Sequence, residues 1–262
     1  MAAASLQGAG IGLAAASWLS GALFGAYIVA FYLGAVPAQA LARWNRTLPA
    51  LYEPGHQGAT IGIGVHFAVG AILLLLGPIQ LVRPFRDRFR TAHCWMGRVY
   101  VGAAALAGAG GLIFILLRGT VGGTVMNIGF GLYGLLMMVA AGQTYRYARL
   151  GRLDLHRAWG IRLFALVIGS WLYRMEYGFW LPLTGKLGHT HTFGGAFDQL
   201  MAFFFYVPNL ILAELFLRAR GGAGPAGQAV GAVLLLGATL IVLAGTWYFA
   251  VGYWLPGIIS EA

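Results

Sequence analysis

The sequence predicts an all-α polytopic transmembrane helical bundle, and two observations carry that prediction. Hydrophobic residues make up 60% of the 262 and charged residues only 9%, against about 25% charged in a soluble domain. A chain with a mean hydropathy of +0.77 cannot hide its apolar surface from water. The apolar residues also fall in runs of about 20, enough to cross ~30 Å of hydrocarbon as helix. The short alternating segments of a membrane β-barrel do not occur.

Seven spans follow in order: 11–34, 59–82, 95–117, 123–147, 156–182, 197–217 and 228–254. The leading "MAAASLQGAG" has no basic residue. It lacks the charged segment of a signal peptide and the arginines of a transit peptide, so the first span is expected to be retained. Only a few residues separate the third and fourth spans, which predicts a tight antiparallel pair. "LRARGGAGPAGQ" is a glycine-rich loop ahead of the seventh span. That last span has no interior charge and reads as a lipid-facing packing helix, with Trp247, Tyr248, Tyr253 and Trp254 as an outer aromatic belt. The whole of 1–262 is one integral membrane domain: a four-helix core over 59–182, flanked by the other three spans.

The net charge of +10 does not point to nucleic acid, because of where the charges fall. Arg83, Arg86, Arg88, Arg90, Arg146, Arg149, Arg152, Arg157, Arg218 and Arg220 lie in loops on one side. Arg43, Arg46, Arg118 and Lys186 lie on the other. The excess marks the inner side, placing the N-terminus inside and the C-terminus outside. The arginines read as orientation signals and lipid anchors. Membrane lipid is the expected partner, in a bacterial cytoplasmic membrane or an organelle inner membrane. Cys94, the only cysteine, excludes an internal disulfide or a thiolate metal cluster.

Two segments resemble each other. "RTAHCWMGRVY" enters the third span and "LDLHRAWGIRLF" the fifth. Each holds a histidine, a glycine four residues on and then an arginine: His93, Gly97 and Arg98; His156, Gly160 and Arg162. Behind His93 one helical face is nearly bare, through Gly97, Tyr100, Ala104, Gly108 and Gly111. The second span has a like face of Gly62, His66, Gly70, Leu73, Gly77 and Gln80. The fourth has Asn127, Gly131, Gly134, Met138, Gly142 and Tyr145. Such faces read first as helix packing. The sharper reading is a flat cofactor lying against them. Haem b suits it, with His93 and His156 on the iron and Gly97, Gly160, Arg98 and Arg162 around it.

Charges within spans are costly and normally face a bundle interior or a cavity. Arg162 pairs most simply with Glu214, and Arg174 with Glu176. His156 and Arg174 share a face about 27 Å apart, one near each surface. His66, Arg174, Glu176, Asn127 and Asp198 form an outer polar layer, with His66 expected to meet Arg174 or Glu176. Mid-depth is apolar apart from Asn209 beside Pro208, which argues against a continuous ion pathway. His189 and His191, two residues apart near Asp198, have chelating spacing.

"VHFAVGAILLLLGPIQLV", "AHCWMGRVYV" and "LHRAWGIRLFALVIGSWLYR" together resemble a family of bacterial-type predicted membrane proteins, domain of unknown function 2306. The likeness runs from His66 to Pro182 and implies a polytopic helical bundle. A looser similarity is to the cytochrome b561-type core, in which four helices hold two haems through histidine pairs. His93 and His156 match one pair, which implies that nearby arginines meet haem propionates. The other pair lacks a partner for His66, so one inner haem is the most that this pattern implies.

No phosphate-binding loop, nucleophile elbow or zinc-protease motif occurs, and the sequence names no catalytic residue. The leading functional expectation is one haem b near the inner face, transferring electrons to or from a partner. The first alternative is a non-catalytic accessory or assembly subunit of a larger membrane complex. The second is a small-molecule carrier with an outer pocket at Arg174 and Glu176.

Overall fold

The computed structural model describes residues 2–46, 51–219 and 224–259. All regular structure among them is helical. α1 (Ala2–Tyr27) runs on through a π turn, Ile28–Leu33. After a short 3-10 helix, Leu41–Arg46, come α2 (Gln57–Leu81) and α3 (Arg83–Arg88). The long α4 (Arg90–Arg118) and α5 (Gly123–Arg149) follow. Next are α6 (Leu153–Val167), α7 (Gly169–Thr184), α8 (Ala196–Phe204) and α9 (Val207–Ala219). α10 (Pro225–Phe249), a π turn (Ala250–Trp254) and α11 (Leu255–Ile259) complete the described chain. Residues 220–223 of the predicted loop ahead of the seventh span lie outside the described residues.

Six helical stretches among the described residues are long and apolar enough to cross a membrane. The predicted span 156–182 is not one of them. It is carried by α6 and α7, of 15 and 16 residues, which meet at Ile168. The cause is tertiary. Gly169 sits so close to α8 and α5 that a Cβ there would lie 3.2 Å from the Phe205 carbonyl oxygen and 3.4 Å from the Tyr133 ring. The sixth span also breaks, between α8 and α9. There Pro208 has no N–H to give, and the Asn209 amide returns to the Phe205 carbonyl at 2.7 Å. Asn209, the one polar residue expected at mid-depth, is thus used in local backbone bonding.

α2 packs on α4, α4 on α5 and α5 on α6, while α1 lies between α2 and α10. The halves of the fifth span diverge: α6 keeps to α5 and α9, and α7 crosses to α10. The bare faces meet one another. A Cβ on Gly110 would lie 2.5 Å from the Gly62 carbonyl oxygen, and one on Gly108 would lie 2.8 Å from that of Gly134. The packing reading of the glycine stripe therefore holds at Gly62, Gly108 and Gly134, where backbone meets backbone; Gly110, outside the predicted face, is the residue that meets Gly62. The seventh span packs as well as faces outward. Gly245 accommodates Met175, and Trp254 is 1% exposed and stacks on Phe249. Trp254 therefore leaves the expected aromatic belt for the core, whereas Trp247 remains 73% exposed.

Candidate functional site

Where α7 turns away from α6, the bundle holds a cavity of about 230 Å³. Its walls are mainly apolar, among them Phe67, Phe114, Phe130, Met137 and Phe205. It extends along α4 from Ala107 to Arg118, eleven residues or about 16 Å of helix. A smaller recess of about 40 Å³ adjoins it, bounded by Phe24, Gly70 and Leu74. Both spaces share His66, Ser170 and Arg174, so the polar groups sit where the two meet.

The His66 Nδ1–H donates to the Ala107 carbonyl at 2.8 Å. A carbonyl only accepts, so the neutral ring presents Nε2 as an acceptor. Gly111 makes this possible, because a Cβ there would stand 3.4 Å from His66 Nδ1. Arg174 Nη1 donates to the Ser170 carbonyl at 2.7 Å, and its guanidinium lies over the Phe24 ring, 4.5 Å from the centroid. Among the described residues it has no carboxylate partner.

Three expectations are corrected here. Arg174 does not pair with Glu176. Two residues apart on a helix, they point about 200° apart. Glu176 lines neither space, and its Oε2 is buried without a hydrogen-bond partner. His66 meets a backbone carbonyl rather than Arg174 or Glu176 directly. The outer polar layer also divides: His66 and Arg174 line both spaces, whereas Asn127 and Asp198 line neither.

At the arginine-rich end the two repeats have one local structure. The Arg98 guanidinium lies 4.6 Å from the Trp95 ring centroid, and that of Arg162 lies 4.9 Å from Trp159. Arg162 also pairs with Glu214, as expected. The His156 Nδ1–H donates to the Thr144 carbonyl at 3.0 Å, which leaves Nε2 outward. His93 Nδ1 is buried without a partner, as are Gln80 Nε2, Tyr100 OH and Gln143 Oε1. The expected cofactor glycines face side chains at ordinary contact. A Cβ on Gly97 would meet Gln80 Oε1 at 3.5 Å, and one on Gly160 would meet Thr144 Cγ2 at 3.9 Å. Neither cavity described above reaches His93 or His156.

At the opposite end, Asp198 is fully buried. It accepts from His189 Nδ1 and Tyr177 OH, both at 2.7 Å, and from the Thr190 and Gly195 amides at 3.0 Å. Tyr173 OH donates in turn to Tyr177 at 3.1 Å. His189 is thus engaged in tying down the 185–198 loop, and no group of three metal-ligating side chains occurs among the described residues. Asn127 accepts from the Thr120 amide and hydroxyl at 2.6 and 2.8 Å, so it shapes the α4–α5 turn. Beyond it, Arg118, which lines the cavity, pairs with Glu53 beside His56. Sequence reasoning missed Ser170, Phe24 and Arg118 as parts of the site. None stands out by type, and only the divergence of α7 brings them together.

A broken-helix bundle with a partly polar internal chamber defines the class: an integral polytopic membrane protein of all-α fold. Within that class the chain belongs to the family of predicted membrane proteins DUF2306, whose model matches residues 63–217. That match reaches beyond the resemblance read from sequence, taking in α8 and α9. No curated protein and no solved structure matches the chain.

Proposed function

We infer that this protein binds a small, largely apolar molecule inside the bundle and acts as its carrier in the membrane. The observation that carries this reading is the cavity of about 230 Å³ beside Arg118, mainly apolar, with His66, Ser170 and Arg174 where it meets the smaller recess and Thr120, Tyr133 and Tyr173 as the other polar side chains of its wall. Pockets for small molecules have this form: apolar walls with a few placed polar groups, between helices. The test uses 4-butylbenzyl alcohol as an uncharged probe and thermal unfolding in nanodiscs as readout. Binding to the folded state raises the midpoint as probe concentration passes Kd. Ala107→Leu is the blank, because Ala107 lines both the cavity and the recess and the larger side chain takes up space where the two meet. A midpoint shift in wild type that Ala107→Leu lacks supports the reading; equal shifts in both, or none, oppose it.

A second reading is one haem b between His93 and His156, which would supply one-electron transfer. Two observations favour it: His156 gives Nδ1–H to a carbonyl, as metal-ligating histidines do, and His93 Nδ1 is unpartnered. The surroundings do not fit a macrocycle, because Gln80 and Thr144 stand against Gly97 and Gly160. Arg162 is held by Glu214. A Soret band from protein made in haem-replete cells, lost in His156→Ala, would establish haem; a colourless folded protein would remove it. As an accessory subunit, the protein would present α10, where Val233, Leu240 and Trp247 are exposed, to a larger complex.

A further inference from the structure

The polar end of the cavity specifies more than an apolar guest. A guanidinium inside a span is normally paired or snorkels to a headgroup. Arg174 does neither. It has no carboxylate partner among the described residues, and it lines both internal spaces of the bundle. Of its five N–H donors, one goes to the Ser170 carbonyl and the ring of Phe24 covers one face. The others have no partner among the described residues. No carboxylate from α1, α2, α4, α5 or α7 lines either space. The one carboxylate near the far rim, Glu53, belongs to Arg118. His66, on the opposite wall, has its Nδ1–H tied to Ala107 and Nε2 left as an acceptor. The chamber therefore combines a positive charge lacking a carboxylate with the acceptor of His66 and the hydroxyl of Ser170, where the mainly apolar cavity meets the smaller recess.

We propose that the ligand is a monocarboxylic acid with an apolar body, its carboxyl group held by Arg174 and His66 and its body lying along α4 toward Arg118. This rests on the cavity reading above and narrows it. A carboxyl group matches both partners with one small head. Its oxygens suit the guanidinium fork, and in the protonated form its O–H suits His66 Nε2. A phosphate monoester would bring more charge than one arginine balances. The polar wall is short, and the apolar aromatic wall beyond it is where a hydrocarbon chain or aryl body fits. A free fatty acid and an aryl or terpenoid acid share this chemistry, and chain shape distinguishes them.

The experiment compares 4-butylbenzoic acid with 4-butylbenzyl alcohol on the full-length protein in neutral-lipid nanodiscs, with Ala107→Leu as the blank for bilayer partition. Wild type is expected to bind the acid at least about tenfold more tightly than the alcohol, the range of a hydrogen bond to a charged group. In Arg174→Gln that preference falls to within about twofold, and Arg174→Lys, which keeps the charge, restores part of it. Decanoic and geranic acids then report whether the tube prefers a straight or a branched body. Equal binding of acid and alcohol by wild type overturns the carboxylate inference and leaves the cavity reading standing. If neither compound binds above the blank, the cavity reading falls and the inference with it. Should Arg174→Gln fail to fold, the wild-type acid-to-alcohol ratio and Arg174→Lys still decide the matter.

Discussion

The α2–α4 contact offers the sharpest test of the packing. Gly110→Ala puts a Cβ 2.5 Å from the Gly62 carbonyl oxygen. A relaxed carbon–oxygen contact needs about 3.3 Å, so the helices must part by about 0.8 Å or tilt. The atom in the way is backbone and has no rotamer by which to yield. Forced overpacking of this kind costs about 1–3 kcal/mol. Against it stands the gain of about 1 kcal/mol when alanine replaces glycine in a helix. Gly102→Ala, in the same helix, isolates that gain, because nothing lies within 4 Å of its Cβ. Gly102→Ala is expected to unfold at the wild-type denaturant midpoint or slightly above it. Gly110→Ala is expected to fall below Gly102→Ala by about 1–3 kcal/mol. Reversible unfolding in mixed micelles, followed by tryptophan fluorescence, reads the difference. Equal stabilities for the two alanine variants would refute the close α2–α4 approach and the packing role of the stripe.

Other consequences follow from single contacts. Gly70→Leu fills open space, so the protein should melt no lower than wild type; a drop of several degrees in its midpoint would mean that the recess is already filled. Asp198→Asn removes charge from a fully buried carboxylate with four donors. The expected loss is about 2–3 kcal/mol, with faster amide exchange across 186–198; unchanged exchange there would contradict the loop-anchoring role. Glu176→Gln replaces a buried, unpartnered carboxyl with a neutral group, whose burial costs less. Thermal stability should hold or rise, and a clear fall would show that Glu176 has a partner after all.

Much of this fold was legible in the sequence because hydropathy and helix phase are local properties. Gly62, Gly108 and Gly134 could be read as packing faces, since spacing alone puts small residues on one side; Gly110, off the predicted face, could not. The Arg162–Glu214 pair was legible too, as two charges of opposite sign at one depth. The break at Ile168 was not. It comes from Gly169 against Phe205, residues 36 apart in sequence, and "LVIGSW" carries no proline to announce it. Without that break, α6 and α7 read as one straight span, which sent Arg174 to the membrane surface and paired it with Glu176. Helix phase already opposed that pairing, because neighbours share a face at three or four residues, not two. His66 stood out by depth, but its partner is a carbonyl on another helix, which sequence does not mark. The Asp198 knot was half visible: the glycine-rich "GKLGHTHTFGG" signalled an ordered loop, while Tyr177 and Tyr173 arrive from the preceding helix.

The central claim is that a small molecule sits inside the bundle, and photo-crosslinking locates it most directly. A diazirine-bearing alkylbenzoic acid, photolysed with the protein in nanodiscs and mapped by peptide mass spectrometry, reports the residues that line its site. Labels are expected on Phe67, Met137 and Tyr133, which line the cavity, and are expected to be lost in Ala107→Leu. Labels confined to lipid-facing positions such as Leu116, Leu240 and Trp247, each exposed, would contradict it.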